Sequence, residues 1–304
     1  MSSGVRPHRA RMAPWPALAS SGRSVPLGKR GGQIFLFDSG EPPVHGPLVC
    51  LIHGLGDEAD TWRHLSPMLA RRHRVIALDL PGFGRSPPSG RVTLVNCAKT
   101  VLRLLRAVSP EPSILVGSSI GAVIAELAAF RDPSLTRALV FIDGGLPQVR
   151  GTARAMLPMI LPFSGERIYT SFRTDHDAAY ASLGPYYKDF AALPEADRQF
   201  LKTRVIDRVE SDTQRRAYFS LLRSLVLWNG VCPGYFRRNM AALGKPLLLA
   251  WGAEDRIIPR ATFDMIAGLV PGAQSVLVPG AGHLPQQERP GELAEAIESF
   301  ISSL

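Results

Sequence analysis

The stretch SILVGSSIG, residues 113–121, decides how the rest of the chain is read. Ser113 to Gly117 is an apolar run without alternation, the pattern of a strand covered on both faces of a sheet. Residues from Ile120 to Phe130 follow at helical spacing. Between them Gly117-Ser118-Ser119-Ile120-Gly121 is a G-x-S-x-G, which carries meaning only where a strand passes into a helix. So sharp a turn leaves no room for flanking side chains, hence glycine at both ends, and it lifts the central hydroxyl above the sheet edge. Ser118 is off centre, so Ser119 is the candidate nucleophile.

Outward from this turn the chain alternates. QIFLF (33–37), PLVCLIH (47–53), RVIALDL (74–80) and RALVFID (137–143) read as strands. Helical spacing lies between them, most clearly at Leu94, Val95, Ala98, Val101, Leu102, Leu105 and Val108. The rhythm stops at Gly144-Gly145 and resumes with KPLLLAWG (245–252), a helix near 260–269, QSVLV (274–278) and a closing helix over 290–302. This pattern predicts an α/β domain with a doubly wound, mostly parallel sheet. The domain comprises residues 31–146 and 244–304, and residues 147–243 form a helical insertion too long for an ordinary connection, expected to be a cap or lid.

The chain has 304 residues, 45% of them hydrophobic, a composition that excludes wholesale disorder and low-complexity architecture. Its net charge of +9 would suggest an anionic partner such as nucleic acid if it were evenly spread. It is not: residues 1–30 hold six basic side chains and no acid, the insertion is +5, and the two core segments are +1 and −3. Nucleic-acid binding is therefore not expected, and residues 1–30, rich in Pro, Ser and Ala, are expected to be a disordered basic tail. The apolar stretch around Met12 is short and broken by Pro14 and Pro16, unlike a secretory h-region. No run of 18 apolar residues predicts membrane insertion. Cys50, Cys97 and Cys232 are odd in number and far apart, with no zinc-type spacing. Neither a disulfide framework nor a metal site is expected, and a reducing cytoplasm fits best.

A serine nucleophile needs a base and an acid, which follow it in the order Asp or Glu, then His, where this turn motif occurs. His283 lies directly after the last strand, and Asp255 occupies the equivalent loop one βα unit earlier, so three loops should meet at one sheet edge. Asp143, ending the strand before the insertion, is the alternative acid, and Glu254 a weaker one. The backbone N–H groups of Ile120 and Leu55, the latter in His53-Gly54-Leu55-Gly56, are the candidate oxyanion donors. His53 itself reads as structural.

With HGLG (53–56), DLPGFGRS (79–86), GSSIG (117–121), WGAEDRIIP (251–259) and GAGHLPQQERP (280–290) in this order, the sequence closely resembles the α/β-hydrolase superfamily, in its group with a helical cap. The resemblance implies an eight-stranded sheet, no cofactor, and a Ser-Asp-His triad falling on Ser119, Asp255 and His283. Relatives that open epoxides or cleave carbon–halogen bonds carry Asp at the turn, so Ser119 argues against both chemistries. Relatives with Ser cleave esters, lactones, thioesters or the carbon–carbon bond of activated diketones. The expectation is a serine hydrolase of a carboxylic ester, lactone or thioester of a small-molecule apolar or aromatic substrate, with a C–C hydrolase as runner-up.

Two other classes remain to be weighed. Gly54-Leu55-Gly56-Asp57-Glu58-Ala59 fits a dinucleotide fingerprint with Asp79 as ribose ligand, but that leaves GSSIG, Asp255 and His283 unexplained. A ligand receptor or non-hydrolytic protein could keep the same residues. All six tyrosines fall within 147–243, which suggests an apolar or aromatic substrate under the cap, and the +5 there suggests one bearing an anion.

Overall fold

Strands rich in Leu, Val and Ile with no polar alternation need cover on both faces. In the computed structural model, which describes residues 12–28, 31–41, 46–145, 158–232 and 234–304, four such strands are buried at every position: β3 (Val49–Ile52), β4 (Val75–Leu78), β5 (Ser113–Ser118) and β7 (Leu247–Gly252). With β1 (Gly22–Pro26), β2 (Gln33–Asp38), β6 (Thr136–Ile142) and β8 (Gln274–Val278) they form one eight-stranded sheet, in the order β1-β2-β4-β3-β5-β6-β7-β8. Pairing is parallel from β4 to β8 and antiparallel where β2 meets β1 and β4.

Alternate residues of the strands feed two apolar layers. Cys50, Leu115, Leu139 and Leu249 pack among residues of the helices Leu94–Val108, Ile120–Arg131 and Arg260–Leu269. Leu51, Val116, Val140 and Ala250 pack with Trp62, Leu65 and the helix Pro290–Ser302. Cys50 and Cys97 are fully buried small apolar groups, and burial pushes both thiols up to about 12.

The strand order reverses at β3, where successive crossovers run to opposite sides, and the crevice beyond such a switch point is where α/β sheets bind ligands. Register brings Ile52, Gly117, Phe141, Leu249 and Ser275 into one transverse row. Hence the loops after β3, β5, β6, β7 and β8 leave from one edge.

Between β6 and β7 the described residues are helical: Ser164–Ser171, His176–Ala181, Glu195–Glu210, Asp212–Val231 and Tyr235–Ala242, with short 3-10 turns. Asp175 and Ser211 cap two of them by accepting from Ala178 N and Gln214 N.

The expectation of a disordered segment over 1–30 is corrected for residues 12–28, while residues 1–11, 29 and 30 lie outside the described residues. Gly22–Pro26 is the edge strand β1, and Met12, Leu18, Val25 and Leu27 are buried. Distant polar groups also hold its backbone: Trp15 N–H donates to Asp60 at 2.6 Å, and Arg85 donates to Met12 O at 3.0 Å. Composition sees none of those long-range contacts.

Candidate active site

At the end of β5 the backbone turns so tightly that Ser119 has φ 55°, a left-handed conformation that costs a non-glycine residue about 1–3 kcal/mol. Its N–H is held by Ile142 O at 2.8 Å. Glycine makes the turn sterically feasible: a Cβ on Gly121 would lie 2.2 Å from Ile52 O, and one on Gly144 would lie 2.3 Å from Ser119 O. The Ser119 side chain is half-buried, and its hydroxyl has no hydrogen-bond partner among the described residues. The His283 ring makes its hydrogen bond to Asp255, and none to Ser119 Oγ is present among the described residues; such bonds often form only once substrate tightens a site.

The loops after β7 and β8 bring Asp255 and His283 together, with Nδ1 of His283 2.9 Å from Asp255 Oδ2 and both side chains nearly inaccessible. The other carboxylate oxygen, Oδ1, accepts from Ile257 N at 2.7 Å and Ile258 N at 3.2 Å. Burial alone would raise the Asp255 pKa, but His283 and the two N–H groups outweigh it and hold the carboxyl below its ordinary value. An ionised Asp255 makes Nδ1 the donor, which leaves Nε2 free to accept a proton.

Asp143, the alternative acid, is a neighbour of this pair rather than the imidazole's partner. Its Oδ1 accepts from Gly252 N at 2.9 Å and its buried Oδ2 has no hydrogen-bond partner among the described residues, while burial and the charge of Asp255 push its pKa well above the ordinary range. Asp143 thus sits beside Asp255 rather than on the imidazole, and its surroundings favour its neutral form. One ligating atom from each of Asp143, Asp255 and His283 lies within 4.8 Å of the others. Glu254 faces away, its Oε2 accepting from Gly280 N and its Oε1 near Lys188 Nζ.

Opposite the turn, an added Cβ on Gly54 would come within 3.5 Å of Ser119 Cβ, which places the Gly54-Leu55 loop against the serine. Ile120 opens its helix, so its N–H has no intrahelical acceptor. His53 is fully buried, with Nδ1 2.7 Å from Gly54 O and Nε2 accepting from Leu80 N at 2.9 Å, which ties two loops together. Asp79, the residue a dinucleotide site would use, instead accepts from Ala59 N and Arg85 N, each at 2.7 Å.

Sequence reasoning passed over the residues after His283. Gln286 Nε2 donates to Ser118 Oγ and Thr61 Oγ1, both at 3.3 Å, and Gln287 donates to Thr61 at 2.8 Å while accepting from Tyr187 Oη at 2.9 Å. Their one local signal was the run of four polar residues Gln286 to Arg289, beginning in the short helix Pro285–Glu288 that follows the last strand.

From the insertion, the Tyr186 ring lies 5.9 Å from the His283 ring, and Tyr218 carbons would be 3.2 Å from a Cβ on Gly56. Aromatic groups therefore face this edge, in line with the tyrosine distribution. Two of the insertion's arginines are directed elsewhere: Arg208 donates to Glu58 at 2.7 and 2.8 Å, and Arg204 pairs with Glu58 at 3.5 Å. Neither guanidinium is free for a substrate carboxylate.

Residues 48–296 match the alpha/beta hydrolase family, and the chain belongs to that family as a hydrolase with a helical insertion. It is 29% identical over 253 residues to a pimeloyl-[acyl-carrier protein] methyl ester esterase of Edwardsiella ictaluri, covering 83% of this chain and 92% of that one. It is also 29% identical over 287 residues to a magnesium-chelatase 30 kDa subunit of Rhodobacter capsulatus, covering 91% and 92%. Among solved structures, 2-hydroxy-6-oxo-6-phenylhexa-2,4-dienoate hydrolase from a Rhodococcus strain shares the fold at a TM-score of 0.74 and 20% identity, over 92% of this chain and 98% of that one. Among the described residues no helix is long and apolar enough to cross a membrane.

Proposed function

We propose that the protein is a serine hydrolase that cleaves a carboxylic ester, lactone or thioester of an apolar or aromatic substrate through an acyl-enzyme on Ser119. The observation that carries this reading is the buried Asp255–His283 hydrogen bond at the sheet edge onto which Ser119 is turned at φ 55°. His283 Nε2 takes the Ser119 proton as Oγ attacks the carbonyl carbon, and Asp255 stabilises the imidazolium. The N–H groups of Leu55 and Ile120 receive the developing oxyanion. Collapse expels the alcohol or thiol with the proton from His283. Water then loses a proton to His283, attacks the acyl carbon and releases the acid, returning the proton to Ser119.

The ester bond is supported by the esterase relative and by Ser119 at the turn. Tyr186 and Tyr218 support an apolar or aromatic acyl group, and residues 147–243 serve in this reading as a lid over the serine. The anionic substituent expected from the insertion's charge is not part of the proposal, because Arg204 and Arg208 are already paired with Glu58. Turnover of a nitrophenyl ester panel tests the assignment: a preference for medium or aromatic acyl groups is expected, and preference for acetyl would oppose it. Cleavage of a vinylogous diketone with no ester turnover would favour the C–C alternative. A single acylation without release would favour a receptor.

A further inference from the structure

Residues 186–189 of the insertion sit directly on the loop that carries His283. The His283 N–H donates to Tyr186 O at 2.8 Å. Gly282 is approached so closely that a Cβ there would lie 2.6 Å from Lys188 N and 2.9 Å from Tyr186 O. Leu284 packs against Tyr187, Leu193 and Leu201 of the insertion.

Glu288 joins the two sides. Its Oε2 accepts from Gly282 N at 2.7 Å, and its Oε1 accepts from Lys188 N at 2.9 Å and Asp189 N at 3.4 Å. One oxygen thus holds the residue before His283 and the other holds the insertion. Packing does not seal this seam: a cavity of about 440 Å³ opens along it, lined in part by Lys188, Asp189, Gln287 and Glu288. The exposed Lys188–Glu254 pair at 3.2 Å adds little in water. The carboxylate bridge is therefore the one side-chain group among the described residues that holds both the residue before His283 and the insertion backbone, beside the His283 N–Tyr186 O bond.

We propose that Glu288 is a positioning residue that makes the orientation of His283 depend on the docking of residues 186–189. The general base is then set only when the lid is seated over Ser119. This rests on the hydrolase reading above, and its test separates the two.

A glutamine at 288 offers one acceptor oxygen where the three N–H groups use two, so it can hold Gly282 or the insertion but not both. Glu288→Gln is expected to lower kcat by about tenfold and Glu288→Ala by about 100-fold, with KM within about threefold of wild type, since small displacements of a reacting group cost rate rather than affinity. Carbethoxylation of His283 by diethyl pyrocarbonate, followed by peptide mass spectrometry, should be several-fold faster in both variants. Unchanged kcat and unchanged His283 reactivity in a folded variant would overturn the proposal, as would an effect confined to KM. If the alanine variant does not fold, the glutamine variant decides by the same criteria. A wild-type protein that turns over no ester would count against the ester-hydrolase reading, and the His283 modification rates would still decide the role of Glu288.

Discussion

Replacing Asp255 and Asp143 in turn by Asn separates the two buried acids. In Asp255→Asn the amide oxygen must stay on the N–H groups of Ile257 and Ile258, now 2.7 and 3.2 Å from Oδ1, because an NH₂ there would oppose two donors. The NH₂ group then faces His283 Nδ1 across the present 2.9 Å contact. Donor meets donor, so the ring must carry its proton on Nε2, where it cannot accept from Ser119. A loss of about 10⁴ in kcat follows, about 5.5 kcal/mol of barrier. In Asp143→Asn the outcome is the reverse. The amide oxygen keeps the Gly252 N–H, and the uncharged NH₂ takes the place of the Oδ2 beside Asp255, whose charge already disfavours an ionised neighbour. Activity should remain within about threefold of wild type, because the substitution preserves the hydrogen-bond roles. Ester hydrolysis by both variants across pH 6 to 9 is the assay. If Asp143→Asn falls as far as Asp255→Asn, or if Asp255→Asn keeps most of its activity, the assignment of the acid is wrong.

Three further outcomes follow from the same geometry. Glu58 is buried, which alone would raise its pKa, but Arg208 and Arg204 hold it at about 2 against an ordinary 4.5. A depressed carboxyl stabilises the fold above its unfolded pKa and loses that contribution as pH falls toward the folded value. Urea midpoints of the wild type should therefore drop between about pH 4.5 and pH 2, whereas Glu58→Gln should start about 3 kcal/mol lower at pH 7 and change less over that window; parallel curves would remove Glu58 from the acid response. Gly121→Ala drives a Cβ to 2.2 Å from Ile52 O and should cost about 3 kcal/mol or more by thermal or urea unfolding, along with activity, and a fully stable variant would contradict the close approach. Tyr218→Ala should move acyl preference toward bulkier groups by about tenfold in relative kcat/KM, and an unchanged panel would take Tyr218 out of the pocket wall.

The sheet was legible because its information is local. Residues 113–121 carry a buried strand, a glycine-flanked turn and a helix within one short segment, and each element needs only its neighbours to be recognised. Asp255 was harder: the residues alone left Asp143 and Glu254 open, and only the position of hydrogen-bond partners distinguishes an acid on the imidazole from one beside it. β1 was invisible because a polar edge strand with one buried side chain, Val25, has no pattern to read. The order of residues 12–28 depends on partners such as Asp60 and Arg85, far along the chain. Gln286, Gln287 and Glu288 were missed for the same reason, since their meaning comes from Ser118, Thr61, Tyr187 and Lys188.

The central claim is that Ser119 is the nucleophile. Labelling with a fluorophosphonate, which phosphonylates only an activated hydroxyl, tests it without knowledge of the substrate. The wild type should be labelled stoichiometrically on the peptide containing Ser119, and Ser119→Ala should not be labelled; undiminished labelling of that variant would contradict the account.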